Sequence, residues 1–89
     1  MTRRDYAIAT GRWMAANRAL LGMTQMDLAR ALHAAEGSVS NWEAGKGSMS
    51  AYMHQQLRQF FRLKGGIAWK ADNYRTAKMS ATKRAEVTA

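Results

Sequence analysis

Between Thr24 and Lys46, the sequence TQMDLARALHAAEGSVSNWEAGK contains two short helical patterns separated by a few residues. Its apolar residues recur at helical spacing. Five of them fall where two steeply crossing helices would share one small core: Leu28, Ala29, Leu32, Val39 and Trp42. We therefore predict that the polar side chains between Ala35 and Asn41 point outward from the second helix of the pair.

Capping residues set the limits of these two helices. Thr24 is a favourable N-cap, and Asp27 can bond back to it as a shortened capping box, so the earlier helix runs from about residue 25 to residue 32 or 33. His33 then occupies a turn position that needs a positive φ, which histidine tolerates better than most residues. The later helix spans about residues 36–43, and Gly45 ends it.

Two further helices flank this pair. One runs from about residue 9 to residue 21 and ends at a left-handed Gly22. The other follows Ser50 and continues to about residue 64 before Gly65 and Gly66. We predict an N-terminal arm or frayed helical start over residues 1–8, one all-α domain over residues 9–74, and a mobile basic tail over residues 75–89. Residues 67–74 fit a short helix or a strand.

The composition limits the class of protein. A chain of 89 residues forms at most one small domain, and without cysteine it has no disulfide, thiolate zinc site or thiol nucleophile. The sequence contains no apolar run long enough for a membrane span and no secretory signal, so we expect a cytoplasmic protein that does not act at a membrane. We interpret His33 as a turn residue and His54 as a helix-surface residue. We therefore predict no metal, no cofactor, no small-molecule ligand and no enzymatic activity.

The net charge of +8 favours a polyanionic partner. The distribution of this charge also favours such a partner. Residues 24–45 carry one cation and three anions, whereas residues 1–23, 46–66 and 67–89 are each net positive. Such a pattern is typical of a protein that reads base edges with a nearly neutral helix and holds phosphates with the residues beside it.

Residues 18–46 resemble the helix-turn-helix of the lambda-repressor-like family, the phage Cro and repressor class also called XRE-type. The matching residues are Arg18, Leu21, Gly22, Thr24, Gln25, Leu28, Ala29, Leu32, Val39, Trp42, Glu43 and Gly45. The resemblance implies a compact bundle of four or five helices whose third helix enters the major groove. It also implies an ion pair between Arg18 and Glu43. The chain departs from the family pattern at His33, at Gly37 and over its C-terminal third.

By position in this family, the residues expected at base edges are Glu36, Gly37, Ser38, Ser40 and Asn41. Asparagine can bind adenine through two hydrogen bonds, and a carboxylate can accept one from cytosine. Glu36 has a second interpretation, because acidic residues also favour helix N-termini. Phosphate contacts are expected from Gln25, Lys46, Ser48 and Arg12.

The fourth helix carries two adjacent phenylalanines, which cannot both enter one small core because neighbours on a helix diverge by about 100°. One of them is expected to face outward with nearby apolar residues and to form a dimer surface. The candidates are Phe60, Phe61, Ile67 and Trp69.

The leading hypothesis is a sequence-specific regulator of transcription, acting as a homodimer and a repressor on a palindromic operator in double-stranded DNA. The alternative is a protein-interaction module, such as an antitoxin or anti-activator, that uses the same fold to bind a protein partner.

Overall fold

Four α-helices account for most of the residues that the computed structural model describes, which are 2–47 and 49–69. They are α1 (Arg3–Leu21), α2 (Gln25–Leu32), α3 (Glu36–Glu43) and α4 (Ala51–Leu63). No strand occurs among these described residues. The prediction of an all-α chain is confirmed over this part. The predicted tail, residues 75–89, lies outside it.

Helix α1 begins six residues earlier than predicted. Thr2 accepts a hydrogen bond from the Asp5 backbone N–H at 3.1 Å, and the Asp5 carboxylate accepts one from the Thr2 N–H at 3.3 Å. This capping box starts the helix at Arg3. Of the two alternatives predicted for residues 1–8, the arm is therefore wrong for residues 3–8, and the helical start is confirmed there.

The other helix starts follow the predicted caps. Thr24 accepts from the Asp27 N–H at 3.0 Å, and Asp27 accepts from the Thr24 N–H at 2.9 Å. The hydrogen bond from the Thr24 backbone N–H to the Asp27 carboxylate is the main cause that lowers the pKa of Asp27. Ser50 caps α4 by accepting from the Met53 N–H at 3.1 Å.

Each helix ends in a Schellman motif, in which a residue with positive φ terminates the helix and the next backbone N–H donates to a carbonyl five residues earlier. Gly22, Gly45 and Gly65 hold this position after α1, α3 and α4. After α2 the position belongs to His33, with φ of 54°, and the next amide, that of Ala34, donates to the Ala29 carbonyl at 2.8 Å. The predicted turn role of His33 is confirmed.

The core receives side chains from all four helices. The largest fully buried apolar residues are Met14, Leu28, Val39, Leu57 and Phe61. Leu32 and Trp42 are half-buried against them. The five residues predicted to form the core between α2 and α3 therefore do so.

Residues 66–69 continue past α4 as neither helix nor strand, and they return to α1. Buried Asn17 accepts from the Ile67 N–H at 2.6 Å and donates to the Ile67 carbonyl at 3.2 Å. The Trp13 indole N–H donates to the same carbonyl at 2.8 Å. The prediction that residues 67–74 form a short helix or a strand is thus wrong for residues 67–69, which form neither. Residues 70–74 lie outside the described part.

His54 is buried, not on the helix surface as predicted. Its ring lies between 5.0 and 5.6 Å from the rings of Tyr6, Trp13 and Trp69, and its Nε2 is 3.5 Å from the Thr10 hydroxyl. Burial, with a smaller contribution from the positive charge of Arg58, lowers the pKa of His54 to about 4. The imidazole is therefore neutral at pH 7 and acts as a core residue.

Candidate functional site

Helix α3 has one face in the core and one in solvent. Val39 is fully buried and Trp42 half-buried, whereas Glu36, Gly37, Ser40 and Asn41 are all exposed. These four residues, hereafter the α3 surface, lie within about 140° of arc at 100° per residue. Four of the five residues expected at base edges therefore share one open surface.

Ser38 does not belong to this surface. It is half-buried, since its position on α3 points between the solvent face and the core. Its expected contact with a base edge is therefore less accessible than those of Ser40 and Asn41.

The N-terminus of α3 differs from those of the other helices. Its N-cap is Ala35, which has no side-chain oxygen, so no side chain accepts from the first-turn amides. Glu36 supplies the only charge in that turn and complements the helix dipole.

The C-terminus of α3 positions Lys46. The Gly45 N–H donates to the Trp42 carbonyl at 3.1 Å, and the Lys46 N–H donates to the Asn41 carbonyl at 2.9 Å. The exposed Lys46 side chain thus begins directly beside the last turn of α3. Ser48, another expected phosphate contact, lies outside the described residues.

The predicted ion pair between Arg18 and Glu43 is confirmed, and it joins α1 to α3. Arg18 Nε donates to Glu43 Oε2 at 2.5 Å and Nη2 donates to Oε1 at 2.7 Å, while Nη1 donates to the Met23 carbonyl at 3.0 Å. The hydrogen bond to Glu43 raises the pKa of Arg18, so the guanidinium stays charged. The pair fixes the end of α3 against α1.

Gln25 completes this network. Its Nε2 donates to Glu43 Oε1 at 3.2 Å, so the side chain expected on a phosphate is engaged inside the molecule. At this position a phosphate could therefore accept a hydrogen bond only from the second N–H of the Gln25 side-chain amide or from the backbone N–H groups at the start of α2.

Gly11 determines how closely α1 approaches α3, and the sequence analysis did not identify it as a functional residue. A Cβ at this position would lie 2.5 Å from the Trp42 carbonyl oxygen and 2.6 Å from that of Glu43. Only glycine allows this approach, which brings the last turn of α3 against the middle of α1. The next residue of α1, Arg12, is exposed.

The expected dimer residues are only partly at the surface. Phe61 is fully buried, so its assignment to a dimer surface is wrong. Trp69 is half-buried, with its ring 5.3 Å from that of Trp13. Phe60 is half-buried against the core, and Ile67 remains 42% exposed.

Two further properties concern the described residues as a group. None of their helices combines the length and apolar content that a membrane span requires. Nor do they contain a cluster of three or more His, Cys, Asp or Glu side chains able to hold a metal ion.

No protein-family model, curated protein or solved structure matches this chain. The assignment of a function to the α3 surface therefore depends on the geometry and charge of the chain itself.

Proposed function

We propose that this protein is a sequence-specific regulator of transcription that binds double-stranded DNA with α2 and α3 as a helix-turn-helix. The α3 surface enters the major groove, and the protein acts as a homodimeric repressor on a palindromic operator, within the cytoplasm. In this proposal the chain is a lambda-repressor-like protein that needs no cofactor and catalyses no reaction.

The single observation that carries the proposal is the polar, exposed face of α3 on an otherwise anchored helix. Asn41 and Ser40 present hydrogen-bonding groups outward. An exposed asparagine in mid-helix lowers helix propensity without a local gain, which favours a role in recognition. Its amide is suited to the two hydrogen bonds that adenine offers in the major groove.

Rigid support of α3 is the second argument. Direct readout requires that a helix be held in a fixed orientation, and side chains on rigid elements are placed more accurately than those on loops. The Arg18–Glu43 pair and the close approach at Gly11 both act on the last turn of α3.

Charge around α3 is the third argument. The α3 surface holds one anion, Glu36, so the reading helix gives little attraction of its own for phosphates. Exposed Lys46 follows its C-terminal end, and exposed Arg12 comes directly after Gly11, which contacts the last turn of α3. In this proposal these two cations supply that attraction. Side chains on phosphates then set the register, and α3 reads the sequence.

A salt titration with random-sequence duplex DNA tests the phosphate part of the proposal. Each phosphate neutralised by a lysine contributes a slope of about −0.9 in log affinity against log salt. We expect Lys46→Gln to reduce the slope by about that amount. Lys64→Gln removes the same charge from the end of α4, where the ammonium lies 5.8 Å from the Phe60 ring, and should leave the slope unchanged. Equal effects of the two variants would show a nonspecific response to net charge and contradict the proposal.

The alternative function, a protein-interaction module such as an antitoxin or anti-activator, predicts a different result. Glu36 and Gly37 on α3 keep it in consideration, because neither is a typical long side chain for reading bases. Under this alternative, Asn41→Ala and Glu36→Ala would leave DNA preference unchanged while weakening capture of a protein partner.

A further inference from the structure

Helix α4 carries a line of residues that faces away from the core. Tyr52, Gln56, Gln59 and Leu63, hereafter the α4 seam, are spaced i, i+4, i+7 and i+11 and lie within an arc of about 60°. The buried side of α4 is formed by His54, Leu57 and Phe61, on the opposite side of the helix. Tyr52 is 69% exposed and Leu63 is 77% exposed, so two large apolar side chains stand in solvent.

A groove of about 590 Å³ runs beside the α4 seam and includes it. The end of α2 forms one wall. The lining residues are Ala31, Leu32, His33, Tyr52, Met53, Gln56, Gln59, Phe60 and Leu63. None of them is Lys, Arg, Asp or Glu, although 22% of the chain is charged. Two copies of a protein with net charge +8 meet the least repulsion at such an uncharged surface.

The α4 seam has a large apolar residue at each end and two glutamines between them. The order apolar, glutamine, glutamine, apolar is therefore the same in both directions along the helix. When two such helices pack antiparallel about a two-fold axis, Tyr52 lies opposite Leu63 of the second copy. Gln56 then lies opposite Gln59 of the second copy. Each glutamine amide has both donors and an acceptor, so the central pairs can satisfy one another. A two-fold interface requires this self-complementarity.

We propose that the α4 seam is a homodimer interface in which α4 of one copy packs antiparallel against α4 of a second copy. The inference rests on the proposed function in that it supplies the two-fold symmetry that a palindromic operator needs. It replaces Phe61, which lies in the core, and Trp69, which is half-buried against the core, as the residues that bring two copies together.

The expected strength follows from the size of the helix. A helix of 13 residues is about 20 Å long, so the contact belongs to the smaller class of protein interfaces. Interfaces at this end of the size range include the weak and transient ones, so we expect a dissociation constant in the micromolar range. At about 100 µM, well above such a dissociation constant, the dimer should predominate.

Sedimentation equilibrium of the full chain without DNA is the first test. The monomer mass is 9.9 kDa, and we expect about twice that value at high protein concentration. Leu63→Glu places a carboxylate in the apolar end of the interface and should give a monomer. Leu20→Glu is the matched control, because Leu20 is 60% exposed on α1, outside the α4 seam, and should leave the dimer intact.

Cysteine crosslinking tests the antiparallel geometry, and the chain has no native cysteine to interfere. A disulfide needs Cβ atoms within about 4.5 Å. A mixture of Gln56→Cys and Gln59→Cys chains, one of them labelled with ¹⁵N, should form mainly the mixed disulfide under mild oxidation. Gln55→Cys lies on the neighbouring face with Arg58 and Arg62 and should crosslink poorly.

Three results would overturn the inference. They are a monomer at high concentration, a dimer that survives Leu63→Glu, and a Gln55→Cys crosslink as efficient as the mixed disulfide. If the protein is a monomer, the ligand of this groove would have to be residues 70–89 of the same chain or another protein. Because no DNA is present, failure of the dimer is distinguishable from failure of DNA binding.

Discussion

Arg18 and Glu43 are joined by two parallel hydrogen bonds, 2.5 and 2.7 Å long, that tie α1 to the last residue of α3. The Glu43 carboxylate is 7% exposed and also accepts from Gln25, so it is almost entirely withdrawn from water. One carboxylate at the end of α3 is therefore bonded to side chains of both α1 and α2.

Loss of the arginine from this pair should be costly. Arg18→Met leaves the Glu43 carboxylate buried with Gln25 as its remaining side-chain partner, and we expect a loss of about 2–3 kcal/mol in the free energy of unfolding. In Arg18→Met/Glu43→Met no charge remains unpaired, so its loss should be smaller than the sum of the two single losses. Urea unfolding of the four proteins measures this coupling. Strict additivity would show that the pair contributes no specific interaction.

Alanine substitution at the two helical glycines, Gly11 and Gly37, should change stability in opposite directions. Gly11→Ala introduces a Cβ 2.5 Å from the Trp42 carbonyl oxygen, and we expect a loss of about 1–3 kcal/mol in unfolding free energy. Gly37→Ala has no atom within 4 Å of the new Cβ and should gain about 1 kcal/mol from helix propensity. Thermal unfolding followed by circular dichroism separates the two. A gain in both variants would mean that α1 and α3 are not held at this distance.

Asn17 should be far more sensitive than an exposed asparagine. Asn17→Ala leaves the Ile67 N–H without its acceptor and should reduce the free energy of unfolding by about 2–4 kcal/mol. Exchange of the Ile67 amide with solvent should also accelerate. Asn41→Ala, on the α3 surface, should change stability by less than about 0.5 kcal/mol. Similar effects at the two positions would contradict the observed attachment of residues 66–69 to α1.

His54 makes stability depend on pH in a defined window. Its pKa is about 4 in the folded protein, against 6.5 when unfolded, so the unfolded chain binds more protons between these values. The free energy of unfolding that depends on a neutral His54 is therefore fully present above pH 6.5 and is lost as the pH falls toward 4. The full shift corresponds to about 3 kcal/mol, and we expect about 2 kcal/mol after allowance for solvent screening.

His54→Phe should remove that part of the pH dependence, which urea unfolding at several pH values measures. Thr10→Val is the control, because it removes the contact with His54 Nε2 and keeps the titrating ring. An unchanged profile in His54→Phe would show that the imidazole does not titrate with a lowered pKa in the folded protein.

The local features of α2, α3 and α4 were predictable because each depends on residues close in sequence. Thr24 and Asp27 are three positions apart, and the end of α2 is set by the backbone at His33 alone. The same reasoning applied to Thr2 and Asp5 predicts the true start of α1, but the residues between them show no apolar periodicity that would draw attention to it. The Arg18–Glu43 pair spans 25 residues, and only the family resemblance indicated it.

Features that depend on distant parts of the chain were not predictable in this way. Asn17 contacts Ile67 across 50 residues, and the signal in the sequence is only a polar residue at an apolar helix position. His54 is buried because three aromatic residues from α1 and the segment after α4 surround it. The spacing of His54 from Leu57 and Phe61 is that of one helix face, so the sequence does carry a local sign that His54 is buried. It does not show which aromatic residues from elsewhere in the chain cover the ring.

The most direct test of the α3 surface is selection of bound sequences from random duplex DNA, carried out in parallel with wild-type protein, Asn41→Ala and Glu36→Ala. The proposal predicts an enriched inverted repeat with half-sites about 10 bp apart, and each variant should relax or change the preferred base at particular positions in both half-sites. Recovery of no enriched sequence, or of an identical motif from all three proteins, would contradict the claim that this surface reads DNA.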